Sequence, residues 1–378
     1  MMNRNQKALL ELLKASLFGI EPELPEGIDW DAVLREAQAQ TVVALAAKAV
    51  PRKAAAAWQE SAMQSQANFI RVLHGQAQLV QLFEQAGIPL VILKGTAAAA
   101  YYPEPFRRSM GDVDFLVPPE RFEEAVNLML GNGYREKGNG PRHKEFMKDG
   151  IEYELHRRYS PLGMDVEEYI KEGFSQLEKG AIGKDSFPML PRMANGIVLL
   201  THLCSHLKKG VGLRQMIDWM MYVDRELDDA FWENEFRQVA ERKGLAPLAI
   251  TATRMCQQYL GLSERITWCA SADDKLCDLS LELLFFSGNF GRKNGEGGHV
   301  EAVGTRIRNM GLFRYLQSTG EASWEAYKRH HFLKPFCWLY RGFQLAKRGL
   351  KTGRGMSMVE DIDRSKNRYE LLKNLGVF

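Results

Sequence analysis

The chain has 378 residues, 45% hydrophobic and 26% charged, a composition that fits a globular protein of two or three domains and excludes a disordered one. Its formal net charge of +3 is too small to call for a nucleic-acid partner, and five scattered cysteines without a CxxC pair argue against a disulfide framework or a zinc site. No run reaches the roughly 18 apolar residues of a membrane span, and MMNRNQKALLELLKASLFG lacks a signal-peptide cleavage site, so a cytoplasmic protein with no membrane partner is expected.

Residues 1–86 read as a helical region. Asp29 suits the N-cap of WDAVLREAQAQTVVALAAKAV, whose apolar residues recur every three or four positions and predict a helix running to Pro51. A longer pattern runs from about Ala54 to Ala86 and stops at Gly87, with Gly75 inside it. The texture then changes. IPLVILKG, bounded by Gly87 and Gly95, reads as a buried strand. TAAAAYY follows as a short helix halted by Pro103 and Pro105, and DVDFLV is the next strand. Pro118-Pro119 opens the helix ERFEEAVNLMLGNG. HKEFMKDGIEYELHRRY is a hairpin turning at Asp149-Gly150, which completes a small α/β unit over 87–162. Residues 163–378 are predominantly helical in pattern, with MANGIVLLTHLCSHL, LRQMIDWMMYVDREL and LAPLAITATRMCQQYLGL the clearest segments. GNFGRKNGEGGHV (Gly288 to Val300) is a glycine-rich loop, and the basic residues Arg341, Lys347, Arg348, Lys351 and Arg354 read as a solvated helical face.

One strand is chemically odd. Val113, Phe115 and Val117 point to one side of DVDFLV, which leaves Asp112 and Asp114 side by side on the other. Two carboxylates about 6 Å apart at an effective dielectric near 20 repel by about 3 kcal/mol. A wet edge strand, a protonated acid or an intervening cation would each relieve that. IEYELHRRY repeats the pattern, with Glu152, Glu154 and His156 alternating with Ile151, Tyr153 and Leu155. If the two strands are neighbours, three carboxylates converge into an oxygen-rich site suited to Mg²⁺ and phosphates. Upstream, LKGTAAAAYY places Gly95 and Thr96 between a strand and a helix, where backbone amides favour an anion, with Lys94, Arg107 and Arg108 close in sequence.

The order strand, Gly-Thr turn, helix, D-x-D strand and acid-bearing strand resembles the polymerase-beta-like nucleotidyltransferase superfamily. The finer signature is similar to a bacterial nucleotidyltransferase family: Leu93-Lys94-Gly95, Tyr102-Pro103, the R-x-x-G-D-h-D-h-L-V run from Arg108 to Val117 (h, hydrophobic), and Glu154-Leu155-His156. LLTHLCSHLKKGVGLRQMIDWMMYV, with His202, His206, Arg214 and Asp218, is similar to that family's helical half. The resemblance implies an α+β fold, a small mixed-sheet core flanked by N-terminal helices and a large C-terminal helical region. It implies two Mg²⁺ ions held by Asp112, Asp114 and Glu154, and an NTP bound by Lys94, Gly95, Thr96 and Arg108. His156 would touch substrate or orient Glu154. The implied reaction moves an NMP to a hydroxyl of an unknown small-molecule or protein acceptor. The alternative is a non-catalytic nucleotide- or partner-binding module of a bacterial biosynthetic or toxin–antitoxin system. The i, i+4 pair His202 and His206 has zinc-compatible spacing, but no further ligand in phase, so helix packing or hydrogen bonding toward the α/β unit is expected.

Overall fold

The short apolar runs of the middle of the chain become one seven-stranded sheet, seen in a computed structural model that describes residues 2–140, 142–160, 164–208, 210–288, 304–352 and 358–378. Its strands are β1 (Val91–Leu93), β2 (Asp112–Leu116), β3 (Arg135–Asn139), β4 (His143–Lys148), β5 (Ile151–His156), β6 (Glu178–Ile182) and β7 (Asp185–Met189), in the order β3-β4-β5-β2-β1-β7-β6. β2 pairs parallel with β5 and β1 parallel with β7, while the remaining neighbours are antiparallel. The fold is therefore α+β with a mixed sheet, as expected. The strands do not stop at residue 162, because the hairpin β6–β7 returns to pair beside β1.

Asp149 and Gly150 both take positive φ, 50° and 72°, the backbone a two-residue hairpin turn needs, and they join β4 to β5 in register. The helices before the sheet are α1 (Arg4–Phe18), α2 (Trp30–Ala39), α3 (Val43–Ala46) and α4 (Ala55–Gln85). The predicted helix from Asp29 to Pro51 is thus broken after Ala39. Gln40 is wholly buried there; its amide donates to the Leu284 carbonyl and accepts from the Leu213 amide, and Thr41 turns left-handed at φ 55°. The helix itself closes with the Thr41 amide on the Gln38 carbonyl and the Val42 amide on the Ala37 carbonyl, the pattern of a left-handed C-terminal cap.

α4 covers the apolar face of the sheet. Phe83 meets Phe115 edge-on at 5.5 Å, and Gly75 lets the helix close on β5: a Cβ there would lie 2.5 Å from the Tyr153 hydroxyl and 2.6 Å from Ile151 Cδ1. Between the strands run α5 (Gly95–Ala99), α6 (Phe122–Gly131) and α7 (Glu167–Phe174). The opposite, acid-bearing face looks toward α8 (Arg192–Leu207) and α9 (Leu213–Glu226). Tyr159 at the end of β5 donates to the Val198 carbonyl of α8 at 2.7 Å. Further helices, Ala246–Leu260 and Asp274–Ser287 among them, extend the same core. All five cysteines are free and buried. Among the described residues no helix is long and apolar enough to cross a membrane. The predicted glycine-rich loop lies, beyond Gly288, outside the described residues.

Candidate active site

The parallel pairing of β2 with β5 sets Asp112 beside Glu152, Asp114 beside Glu154 and Leu116 beside His156. The antiparallel pairing of β4 adds Glu145 next to Glu154 and His143 next to His156. Side chains at paired positions share a face, so acids form a row across three strands. Asp112, Asp114, Glu154, His143 and His156 line one cavity of about 240 Å³ whose far wall carries His202, His206 and Arg214 from α8 and α9.

Burial alone would push the Asp114 carboxyl up. Lys94, whose Nζ donates to Oδ1 at 2.6 Å, and His156, whose Nε2 donates to the same oxygen at 2.9 Å, instead hold it well below the usual carboxylate range. Asp112 has no such partner among the described residues. Burial and the adjacent Asp114 charge push it up to about 6. Burial opposes charge on His156 too, but its contacts with Asp114 and with Glu154 at 3.5 Å outweigh that and raise it. The site is a buried acidic pair with one member neutralised by protein cations and the other left facing the cavity.

Lys94 reaches Asp114 from an unusual backbone, φ 51° and ψ −124°, and Gly95 follows at φ 20°. A positive φ on a lysine costs about 1–3 kcal/mol and persists only where surrounding contacts hold it. Because β1 and β2 are antiparallel neighbours, the long interval between Gly95 and Asp112 folds back on itself. A Cβ at Gly95 would sit 3.2 Å from Met110 Cε and 3.9 Å from the Asp112 carbonyl, so the turn lies directly against the acids.

Residues 26–261, more than half the chain, match the family described as uncharacterised nucleotidyltransferase. The chain belongs to that nucleotidyltransferase family. The chain matches no curated protein. Among solved structures it is similar to the crystal structure of an antigenic nucleotidyltransferase-like protein from Paracoccidioides brasiliensis, at 12% identity and a TM-score of 0.32, over 51% of this chain and 93% of that one.

Several site residues of this nucleotidyltransferase stand differently from their sequence expectation. Thr96 does not cap α5; it is fully buried inside it, and its hydroxyl donates to Gln76 of α4 at 2.7 Å. Arg108 is 2% exposed and grips Asp218 of α9 through Nε at 2.7 Å and Nη2 at 2.8 Å, with Nη1 on the Ser109 carbonyl. Both therefore tie the turn and strand to helices. Arg107 bonds Glu104 and the Ala44 carbonyl. The cation left toward the cavity is Arg214: it is buried, burial and the nearby Arg108 charge lower its affinity for a proton, and its Nε has no hydrogen-bond partner among the described residues. Arg142, on the loop before β4, also lines the cavity.

Sequence reasoning passed over Arg142, His143 and Tyr159. The signal for His143 was available, because a two-residue Asp149-Gly150 turn pairs 148 with 151 and hence 143 with 156. His202 and His206 are a linked pair with Nε2 atoms 2.9 Å apart. His206 Nδ1 faces the Gly210 carbonyl at 3.4 Å, and a carbonyl only accepts, so Nδ1 carries a proton. Burial and the neighbouring His206 push the His202 proton affinity well down, which keeps it neutral beside the acids.

The donor chemistry fits a hard cation: carboxylate oxygens, one of them unpartnered, in a buried like-charged pair. The spacing is less complete. Among the described residues, the donor sets gathered within 4.8 Å are His143–Glu154–His156 and Glu145–Glu152–Glu154, while Asp114 is held by Lys94. Lys94 and His156 both bond Oδ1 of Asp114, so Oδ2 is the oxygen it could offer to an ion shared with Asp112 and Glu154.

Proposed function

We propose that the protein moves a nucleoside monophosphate from an NTP to a hydroxyl on a small-molecule or protein acceptor, releasing pyrophosphate. The observation that carries this reading is the placement of Asp112, Asp114 and Glu154 on one face of two paired strands, at the floor of one cavity beside the Gly95 turn. In the reaction the acceptor oxygen attacks the α-phosphorus, the bond from that phosphorus to the bridging oxygen breaks, and the acceptor proton passes to Glu154. Asp112, Asp114 and Glu154 would hold the Mg²⁺ ions, which when bound supply charge neutralisation for the reacting phosphates. Gly95, whose missing side chain makes room for Met110, sets the turn against the acids, where the NTP phosphates would lie. Arg214 and Arg142 offset triphosphate charge from the opposite wall. Arg108 supports that wall through Asp218. Lys94, which also lines the cavity, adds a further cation beside Asp114.

A second reading, a nucleotide- or partner-binding module without turnover, draws support from the Lys94–Asp114 ion pair, which keeps one acid permanently engaged. Pyrophosphate release separates the two. The protein with Mg²⁺ and each of ATP, CTP, GTP and UTP is offered a panel of hydroxyl acceptors, with calorimetry run in parallel. Transfer by the native chain, reduced about 10²–10³-fold by Asp112→Asn or Asp114→Asn with the fold intact, is expected. Binding without release from any acceptor favours the module, and full activity in the double variant eliminates nucleotidyl transfer at this site.

A further inference from the structure

The proposed transfer leaves the most strongly charged part of the chain without a role. Between Gly304 and Thr352 the sequence carries ten lysines and arginines against two glutamates, whereas the whole chain is only +3, so the remainder is net acidic. The same 49 residues hold nine aromatic side chains. They fold as helix Leu312–Ser323 against helix Cys337–Thr352, joined by short helical turns. The inner contacts are tight: Gly320 admits the Cys337 backbone, Trp324 stacks on Tyr340 at 4.8 Å, and Tyr315 is buried.

The outer side is different. Phe332, Phe336, Leu339 and Phe343 are 75%, 52%, 49% and 71% exposed, the first two on the 3-10 turn His331–Phe336 and the last two, four residues apart, on one side of the helix Cys337–Thr352 that follows it. Met310, Leu312 and Phe313 are also exposed where the first helix begins. The exposed cations Arg314, Arg329 and Lys334 are interleaved with these groups. Large exposed apolar stripes on a soluble chain mark an interaction surface.

Charge selects the occupant. A second copy of this chain docked through the same face would bring two strongly cationic surfaces together, which repel. A single-stranded nucleic acid wants stacking rings along a basic groove, whereas Leu312, Leu339 and Met310 offer no ring to stack on. Exposed aromatic and aliphatic groups clustered over a helical hairpin and interleaved with lysine and arginine match the boundary between acyl chains and anionic headgroups. We propose that this face docks the protein on an anionic lipid surface, with Phe332, Phe336, Leu339 and Phe343 at the acyl boundary and the basic residues among the headgroups. Nothing in this requires a spanning helix, and it does not depend on the nucleotidyl-transfer reading.

The test is flotation of the full-length protein with vesicles of phosphatidylcholine alone and of phosphatidylcholine mixed with phosphatidylglycerol. At low salt the anionic vesicles should carry roughly tenfold more protein, and added salt should weaken the binding as the Debye length shrinks. The variant Phe332→Ser/Phe343→Ser, altered only at exposed positions, should melt like the native chain yet lose about tenfold in partitioning. A second variant, Arg329→Glu/Lys334→Glu, should lose the preference for anionic vesicles. Equal or absent partitioning into the two vesicle types overturns the proposal, as does binding unaffected by both variants. A dimer, or an RNA or DNA complex, that the phenylalanine variant abolishes while vesicles go unbound would assign the face to that partner instead.

Discussion

Asp112 is a site where stability and chemistry oppose each other. Burial and the charge of Asp114 raise its folded-state pKa to about 6 from an ordinary 3.8. For an acid raised on folding, the stabilising contribution is complete below the unfolded value and is lost as pH climbs through the folded one. Ionising Asp112 therefore weakens the ligand-free fold between about pH 4 and pH 7. Two pKa units correspond to about 3 kcal/mol, and discounting for partial exposure leaves about 1–2 kcal/mol. Asp112→Asn is accordingly expected to stabilise the protein by about 1–2 kcal/mol at pH 8 and by little at pH 4, read from denaturant melts at the two pH values. A group retained despite such a penalty is one whose charge is used, and a variant less stable than the native chain at pH 8 would contradict the electrostatic picture of the site. Lys94 shows the same pattern, a strained backbone held in place so that its ammonium reaches Asp114.

Between elements, the strongest tie is the pair Arg108–Asp218, both 2% exposed, with Tyr102 donating a further hydrogen bond to Asp218 at 2.7 Å. It binds the entrance of β2 to α9 and so fixes the wall from which Arg214 faces the acids. Removing one member leaves the other buried without compensation, so Asp218→Ala should destabilise by about 3–5 kcal/mol in urea unfolding, and Asp218→Asn by less. This link joins residues 110 apart, and no local pattern announced it: R-x-x-G-D-x-D reads as a catalytic signature whether its arginine holds a phosphate or a carboxylate. What was readable in the chain was whatever has a short period. Alternation placed Asp112, Asp114, Glu154 and His156 on one face, and the Asp149-Gly150 turn fixed β4 against β5. β6 and β7 escaped because they are short and half-polar, with Pro188 inside β7, features that argue against a strand; β7 meets β1 at the single pair Ile92–Met189, which leaves room for the proline beside it. The break at Gln40 escaped because its left-handed cap falls on Thr41, a residue type that does not announce positive φ as glycine does.

At the scale of the molecule, the α/β unit of residues 87–162 is expected to depend on the rest of the chain for its folding. Its sheet is completed by β7 beside β1, its apolar face is closed by α4, and its acid face is closed by α8 and α9. One continuous core runs from Leu9 in α1 through Phe115 and Trp219 to Leu372 near the end of the chain. An isolated 87–162 fragment would expose both faces of the sheet and the edge of β1, and would carry Arg108 without Asp218. About 75 residues stripped of two covering layers retain too little buried apolar area to offset conformational entropy. The fragment is expected to show no cooperative thermal transition by circular dichroism, while the full chain melts in a single sigmoid that Asp218→Ala lowers. A cooperative melt from the fragment would mean that the sheet is stable on its own and that the helical halves only frame the site. Its absence would mean that the acids of β2 and β5 hold their register because helices on both sides of the sheet, drawn from before and after the unit in sequence, compress it.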